Sequence, residues 1–168
     1  MKQQSSIVAH SGEHKALALW AAECAEHVLP FFEEAHPANR RPLEATEVLR
    51  TWIRTGLFKM AVIRTASLAA HAAAREAGED SPARYAARAA GQAVATAHVP
   101  AHALGAALYA QKAVAAASPL DGRAAAAKER EWQLSRLPGD LREWVDSGLK
   151  QKERLLPRNL RDEPQKAG

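Results

Sequence analysis

The chain has 168 residues, a formal net charge of +4 and a single cysteine. That length suits one domain with a real core, while lone Cys24 excludes an internal disulfide and fits a reducing compartment. Although 47% of the residues are hydrophobic, only 5% are aromatic and much of the remainder is alanine, so the core must be built by close backbone approach. No run reaches the roughly 18 uninterrupted apolar residues of a membrane span, and "MKQQSSIVAHSGEHK" has no apolar signal region. A cytoplasmic protein without membrane contact is expected.

Residues 1–10 read as a flexible N-terminus. Ser11 is a predicted cap, with Glu13 in the first turn where the helix dipole favours an acid. Leu17, Trp20, Cys24, Val28 and Phe31 or Phe32 then form an amphipathic stripe. Pro30 is expected to kink this helix or split it near Leu29. "EEAHPANRRP", 33–42, reads as a loop. A second helix opens at Pro42, runs to about Thr55 and stops at Gly56. The third is predicted over Leu57 to Ala77, with Met60, Ile63, Leu68 and His71 on its apolar face. Ser81 and Pro82 start a fourth helix, which runs to about His98. Val99 precedes a proline, which disfavours the α region there, so Pro100 is expected to begin a fifth helix ending at Ala117. A sixth covers Arg123 to Leu137, and a seventh Asp140 to about Lys152. Residues 158–168 read as a flexible tail behind a single domain over 11–157.

The fold class is therefore all-α: a compact bundle of six or seven helices, packed as hairpins around an alanine-rich centre. Between Ala83 and Ala117, 17 of 35 residues are alanine, and Gly91 and Gly105 would permit the closest contacts. Such helices could also carry a homodimer interface. "AAHAAAREAG" and "ARAAGQAVATAH" resemble each other weakly, too weakly to establish a repeat.

Charge is uneven. Residues 13–47 carry seven acids against three bases, and 48–120 eight bases against three acids. Arg50, Arg54, Arg64, Arg84 and Arg88 spread over several helices, which argues for solvated surfaces over a nucleic-acid face. The acidic segment, Glu33 and Glu34 included, is the better candidate for meeting a basic partner.

Chemistry could reside in the histidines. His71, His98 and His102 lie in the centre and are the candidate metal set, for zinc or another transition metal with a hydrolytic role. No carboxylate or cysteine stands near them in sequence to complete or orient a site. The competing reading takes His98 as the end of one helix and His102 as the start of the next. His10 and His14 stand at i, i+4 near a frayed end, and Cys24 on the apolar stripe reads as an inert core thiol. No nucleophile elbow, phosphate loop or dinucleotide fingerprint is present, so neither an enzyme nor a cofactor is expected. Tryptophan and arginine dominate interface hot spots, and Trp52, Trp132 and Trp144 are the candidate anchors for a partner.

Four stretches taken together carry a resemblance: "RPLEATEVLRTWIRTG", "AVIRTASLAAHAAAREAG", "AARAAGQAVATAHVPAHALGAALYAQKA" and "EREWQLSRLPGDLREWV". In this order they resemble bacterial immunity proteins with an immunity-five-like domain, over roughly residues 42 to 157. The resemblance implies a small non-enzymatic protein that neutralises a cognate toxin by stoichiometric binding. It brings no active site or cofactor. Inhibitors of nuclease toxins are often strongly acidic, so the net basic charge does not by itself indicate a nuclease target.

Overall fold

The structure, a computed structural model, describes residues 7–155. Seven helices follow in chain order: α1 (Gly12–Ala35), α2 (Arg41–Thr55), α3 (Met60–Glu76), α4 (Pro82–Ala95), α5 (His102–Ala116), α6 (Gly122–Ser135) and α7 (Gly139–Leu155). No strand occurs among the described residues. Residues 1–6 and the expected tail at 158–168 lie outside them.

Local chemistry sets most boundaries. The Ser11 and Ser81 hydroxyls each accept a backbone N–H three residues on, from His14 and Arg84, at 3.1 Å, which satisfies orphan donors of α1 and α4. Gly56 closes α2 in the left-handed conformation at φ 68°, where a Cβ would be strained.

Pro30 neither splits nor ends α1, which continues to Ala35. Pro30 is exposed, so the Glu26 carbonyl that loses its usual N–H partner can turn to water. The 33–42 loop accordingly shrinks to the few residues between α1 and α2. The fifth helix begins at His102, after a turn in which His98 and Val99 donate backbone N–H groups to the Ala95 carbonyl and His102 donates to Val99.

The core is one connected cluster, with α4 at its centre against α1, α2, α3 and α5. Ala86, Ala87, Ala89, Ala90 and Ala93 of α4 are all fully buried, as are Ala103, Ala106, Ala107, Ala110 and Ala113 of α5. Close approach replaces side-chain bulk. Gly91 faces the His71 ring so tightly that an added Cβ would stand 2.7 Å from Nε2, and a Cβ on Gly105 would stand 2.7 Å from Gln92 Oε1.

The structure keeps Ile63 and His71 of the expected α3 face inward but turns Met60 and Leu68 out of it. Ile63, Ala70, Ala73 and Ala74 are buried, whereas Met60 and Leu68 point outward with 42% and 57% of their surface exposed. Packed on alanine-rich α4, α3 buries Ile63 and three alanines and sets the His71 ring against Gly91, and leaves Met60 and Leu68 outside.

Candidate functional site

The four tryptophans fall in different environments. Trp20 and Trp52 are 1% and 2% exposed. Trp52 packs its ring against His14 at 5.0 Å and belongs to the core, with no hydrogen-bond partner for its indole N–H. It is therefore no surface anchor. Trp144 is half-buried against the core. Trp132, on α6, is half-buried beside α1 and is the indole of interest.

Trp132 lies over a buried polar network. The Trp20 indole N–H donates to the Gln133 carbonyl at 2.7 Å. The Gln133 side chain donates to the Ala107 carbonyl at 3.1 Å and accepts from Gln111 Nε2 at 2.9 Å. Glu129, with 4% of its side chain exposed, accepts from His27 Nδ1 at 2.9 Å. These bonds tie α6 to α1 and α5, and leave each buried polar group of the seam with a partner. His27 in turn stacks on Trp132 with ring centroids 3.8 Å apart, and the Arg136 guanidinium lies 5.9 Å from the indole centroid.

Glu23 accepts from Arg136 at 3.1 Å, and Glu26 accepts a two-pronged bond from Arg50 at 2.6 and 2.7 Å. Glu23, His27, Pro30 and Glu34 stand at i, i+4, i+7 and i+11, one line along α1. Glu33 and Glu34 are exposed in its last turn, which contains no basic residue. Two carboxylates at the negative end of a helix dipole are locally unfavourable. Along α1, Glu23 and Glu26 are thus paired with Arg136 and Arg50, exposed Glu33 and Glu34 carry the negative charge of its C-terminal end, and the half-buried Trp132 indole is fixed against His27. Burial, with Glu129 and Glu23 nearby, pushes the Cys24 thiol well above its ordinary range. Cys24 is inert beneath this face.

His71, His98 and His102 do not assemble as a metal centre: among the described residues no group of three or more metal-ligating side chains could hold an ion. Tight packing keeps them on separate tasks. His71 lies against Gly91 with Nδ1 unpartnered, His102 Nδ1 donates to Gln92 Oε1 at 2.8 Å, and His98 stacks near Phe58 at 6.3 Å. Burial, then the charge of Lys152, lowers the His102 pKa from 6.5. Desolvation thus discourages its charging ahead of any helix-dipole effect.

His14, read from sequence as half of a frayed pair, is fully buried instead. Its Nε2–H donates to the Thr96 carbonyl at 2.5 Å, while Nδ1 accepts the His10 backbone N–H at 2.7 Å. The spacing His14, Leu17, Ala21, Cys24, Val28 continues the α1 stripe by one turn, and that signal could have placed it.

The arginines weighed for nucleic acid are divided. Arg50 is paired with Glu26, Arg84 donates to the Arg75 and Ala77 carbonyls at the end of α3, and Arg88 lies 6.0 Å from the Tyr109 ring centroid. Arg54 and Arg64 are exposed on α2 and α3.

Compared with known families, residues 8–140 match the family described as "Imm-5 like putative immunity protein". The chain belongs to that family. The match takes in α1, which the sequence resemblance over 42–157 left out, and ends at the start of α7. Comparison with curated proteins gave no match, and comparison with solved structures gave none. No helix among the described residues is long and apolar enough to cross a membrane.

Proposed function

We propose that this immunity-family protein neutralises a cognate protein toxin by stoichiometric, non-enzymatic binding, and that the toxin offers a basic surface to the α1–α6 face. Membership of the immunity family over residues 8–140 carries the reading. The face is supported by Glu33 and Glu34, carboxylates kept at a helix end that disfavours them, and by Trp132, the residue type most enriched at binding hot spots. Occlusion of the toxin requires no cofactor from this chain.

The test is co-expression with toxin candidates from the neighbourhood of this gene. Growth rescue together with a stoichiometric complex that survives gel filtration is the expected result. Glu33→Lys with Glu34→Lys should slow association and flatten its loss with salt, since charges at a rim act mainly on the encounter rate. Trp132→Ala should cost about 2 kcal/mol or more of binding. Rescue at catalytic amounts of this protein would overturn the mode of action. Binding untouched by all three substitutions would overturn the face.

A further inference from the structure

Helices α4 and α5 contain no carboxylate side chain, and the residues they leave partly exposed stand in register. On α4, Tyr85, Arg88 and Gln92 follow at i, i+3 and i+7, and on α5 Gly105, Tyr109 and Lys112 at i, i+4 and i+7, one line of each helix. The two lines pair in opposite chain directions. Gly105 lies against Gln92, the Arg88 guanidinium 6.0 Å from the Tyr109 ring centroid, and Lys112 Nζ 5.9 Å from that of Tyr85. Lys112 Nζ is also 5.4 Å from the Tyr109 centroid, and the two tyrosine rings lie 6.4 Å apart with planes 22° from parallel. The seam is therefore built of bases interleaved with aromatic rings. In the sequence these bases are scattered, and the pairing of α4 with α5 gathers them.

Neither Arg88 nor Lys112 is paired with a carboxylate among the described residues. Burial, then the charge of Arg88, lowers the Lys112 pKa, and Asp80 acts against them. Asp80 stands with exposed Glu79 in the turn before α4, at one end of the seam, and its Oδ1 already accepts the Tyr85 hydroxyl at 2.7 Å. On the α3 side, burial, then the charges of Arg88, Arg75 and His102, lowers the His71 pKa. Exposed Arg75 thus extends the same positive band. Like charges gathered at partly buried positions repel one another, and an anion seated among them removes that cost.

The exposed large aliphatic side chains lie elsewhere: none is on α4 or α5, and Leu68, one turn before His71 on α3, only borders the band. A protein interface places an apolar core inside its polar rim, and the seam offers no such core. A strand that brings phosphates to the cations and unstacked bases to the rings needs none. We propose that the α4–α5 seam binds single-stranded nucleic acid, with Arg88 and Lys112 holding phosphates and Tyr85 and Tyr109 presenting ring surface to the bases. A duplex keeps its bases stacked on one another and gives the tyrosines nothing to meet.

The full chain is titrated into fluorescein-labelled thymidine and uridine oligonucleotides of about 12 residues, within the range of single-strand site sizes. Anisotropy is followed from about 50 to about 200 mM salt, and helicity is checked by circular dichroism. Saturable binding is expected, with log K falling linearly as log salt rises. Arg88→Gln and Lys112→Gln should each reduce that slope by about 0.7, the value of one phosphate on a single strand. Arg40→Gln, beside Glu44 and Glu47 on α2, should leave it unchanged. Tyr109→Ala should weaken binding about tenfold. The two glutamine variants sit at partly exposed positions and keep the test decisive even if Tyr109→Ala perturbs folding. No binding at about 50 mM salt, or a slope untouched by both glutamine variants, would overturn the proposal. Equal affinity for a duplex of the same length would overturn it too, as would equal affinity for polyglutamate, which would assign the seam to an acidic protein. The oligonucleotide meets this chain alone, so the outcome is read independently of toxin neutralisation.

Discussion

The α4–α5 centre and the α1–α6 seam are both buried, yet opposite means hold them together. In the centre, alanines and glycines bring backbones close, and stability comes from packing density in the near absence of large side chains. Along the seam, the large Trp20 ring and a set of buried polar groups close a gap that the apolar residues leave. The centre therefore tolerates loss of side-chain atoms poorly and gain worse, whereas the seam is sensitive to which donors and acceptors remain.

Breaking the seam should have the larger effect. Gln133→Leu leaves Gln111 Nε2 and the Ala107 carbonyl without their partner, and should cost about 2–4 kcal/mol in urea unfolding. Adding Gln111→Leu removes the orphaned donor and should recover part of that loss, a coupling that independent sites would not give.

In the centre, Gly91→Ala places a Cβ 2.7 Å from His71 Nε2 and should cost about 1–3 kcal/mol by overpacking. In a His71→Ala background the same change should be much milder. Equal costs in both backgrounds would mean that α3 and α4 are not held apart at this point.

The smallest effect concerns the joint between the two regions, where His14 of α1 reaches the end of α4. Burial, outweighing the bond to Thr96, lowers the His14 pKa from 6.5, and nearby His10 lowers it further. The fold therefore favours neutral His14. Its contribution to stability is complete above 6.5 and declines as pH falls through 6.5 towards the lower folded value. Burial lowers the His71 and His102 pKa values in the same direction. The unfolding midpoint should drop between about pH 7.5 and about pH 5.5, and less so in His14→Gln. An unchanged pH dependence in that variant would remove His14 from the account.

The helices themselves were legible because their signals are local: serine caps at Ser11 and Ser81, glycine at 56, proline at 42 and 82. Pro30 does not split α1, since the cost of a proline inside a helix depends on whether water can reach the freed carbonyl, and that is settled by which face is outside. The acidic character of 13–47 was readable as well, though only the structure stacks Trp132 on His27 of α1, because α6 lies about 100 residues further along the chain. His14 was overlooked for the converse reason: a terminus looks frayed until something is packed on it.

The sequence by itself determined the helical class, most helix limits, the alanine-built centre and kinship with immunity proteins, since propensity, capping and motif order act over a few residues at a time. Tertiary structure alone decided which side of each helix is buried. Helix α3 buries Ile63 and three alanines and turns Leu68 and Met60 to the outside, and the three central histidines take separate neighbours, His71 against Gly91, His102 on Gln92 and His98 near Phe58.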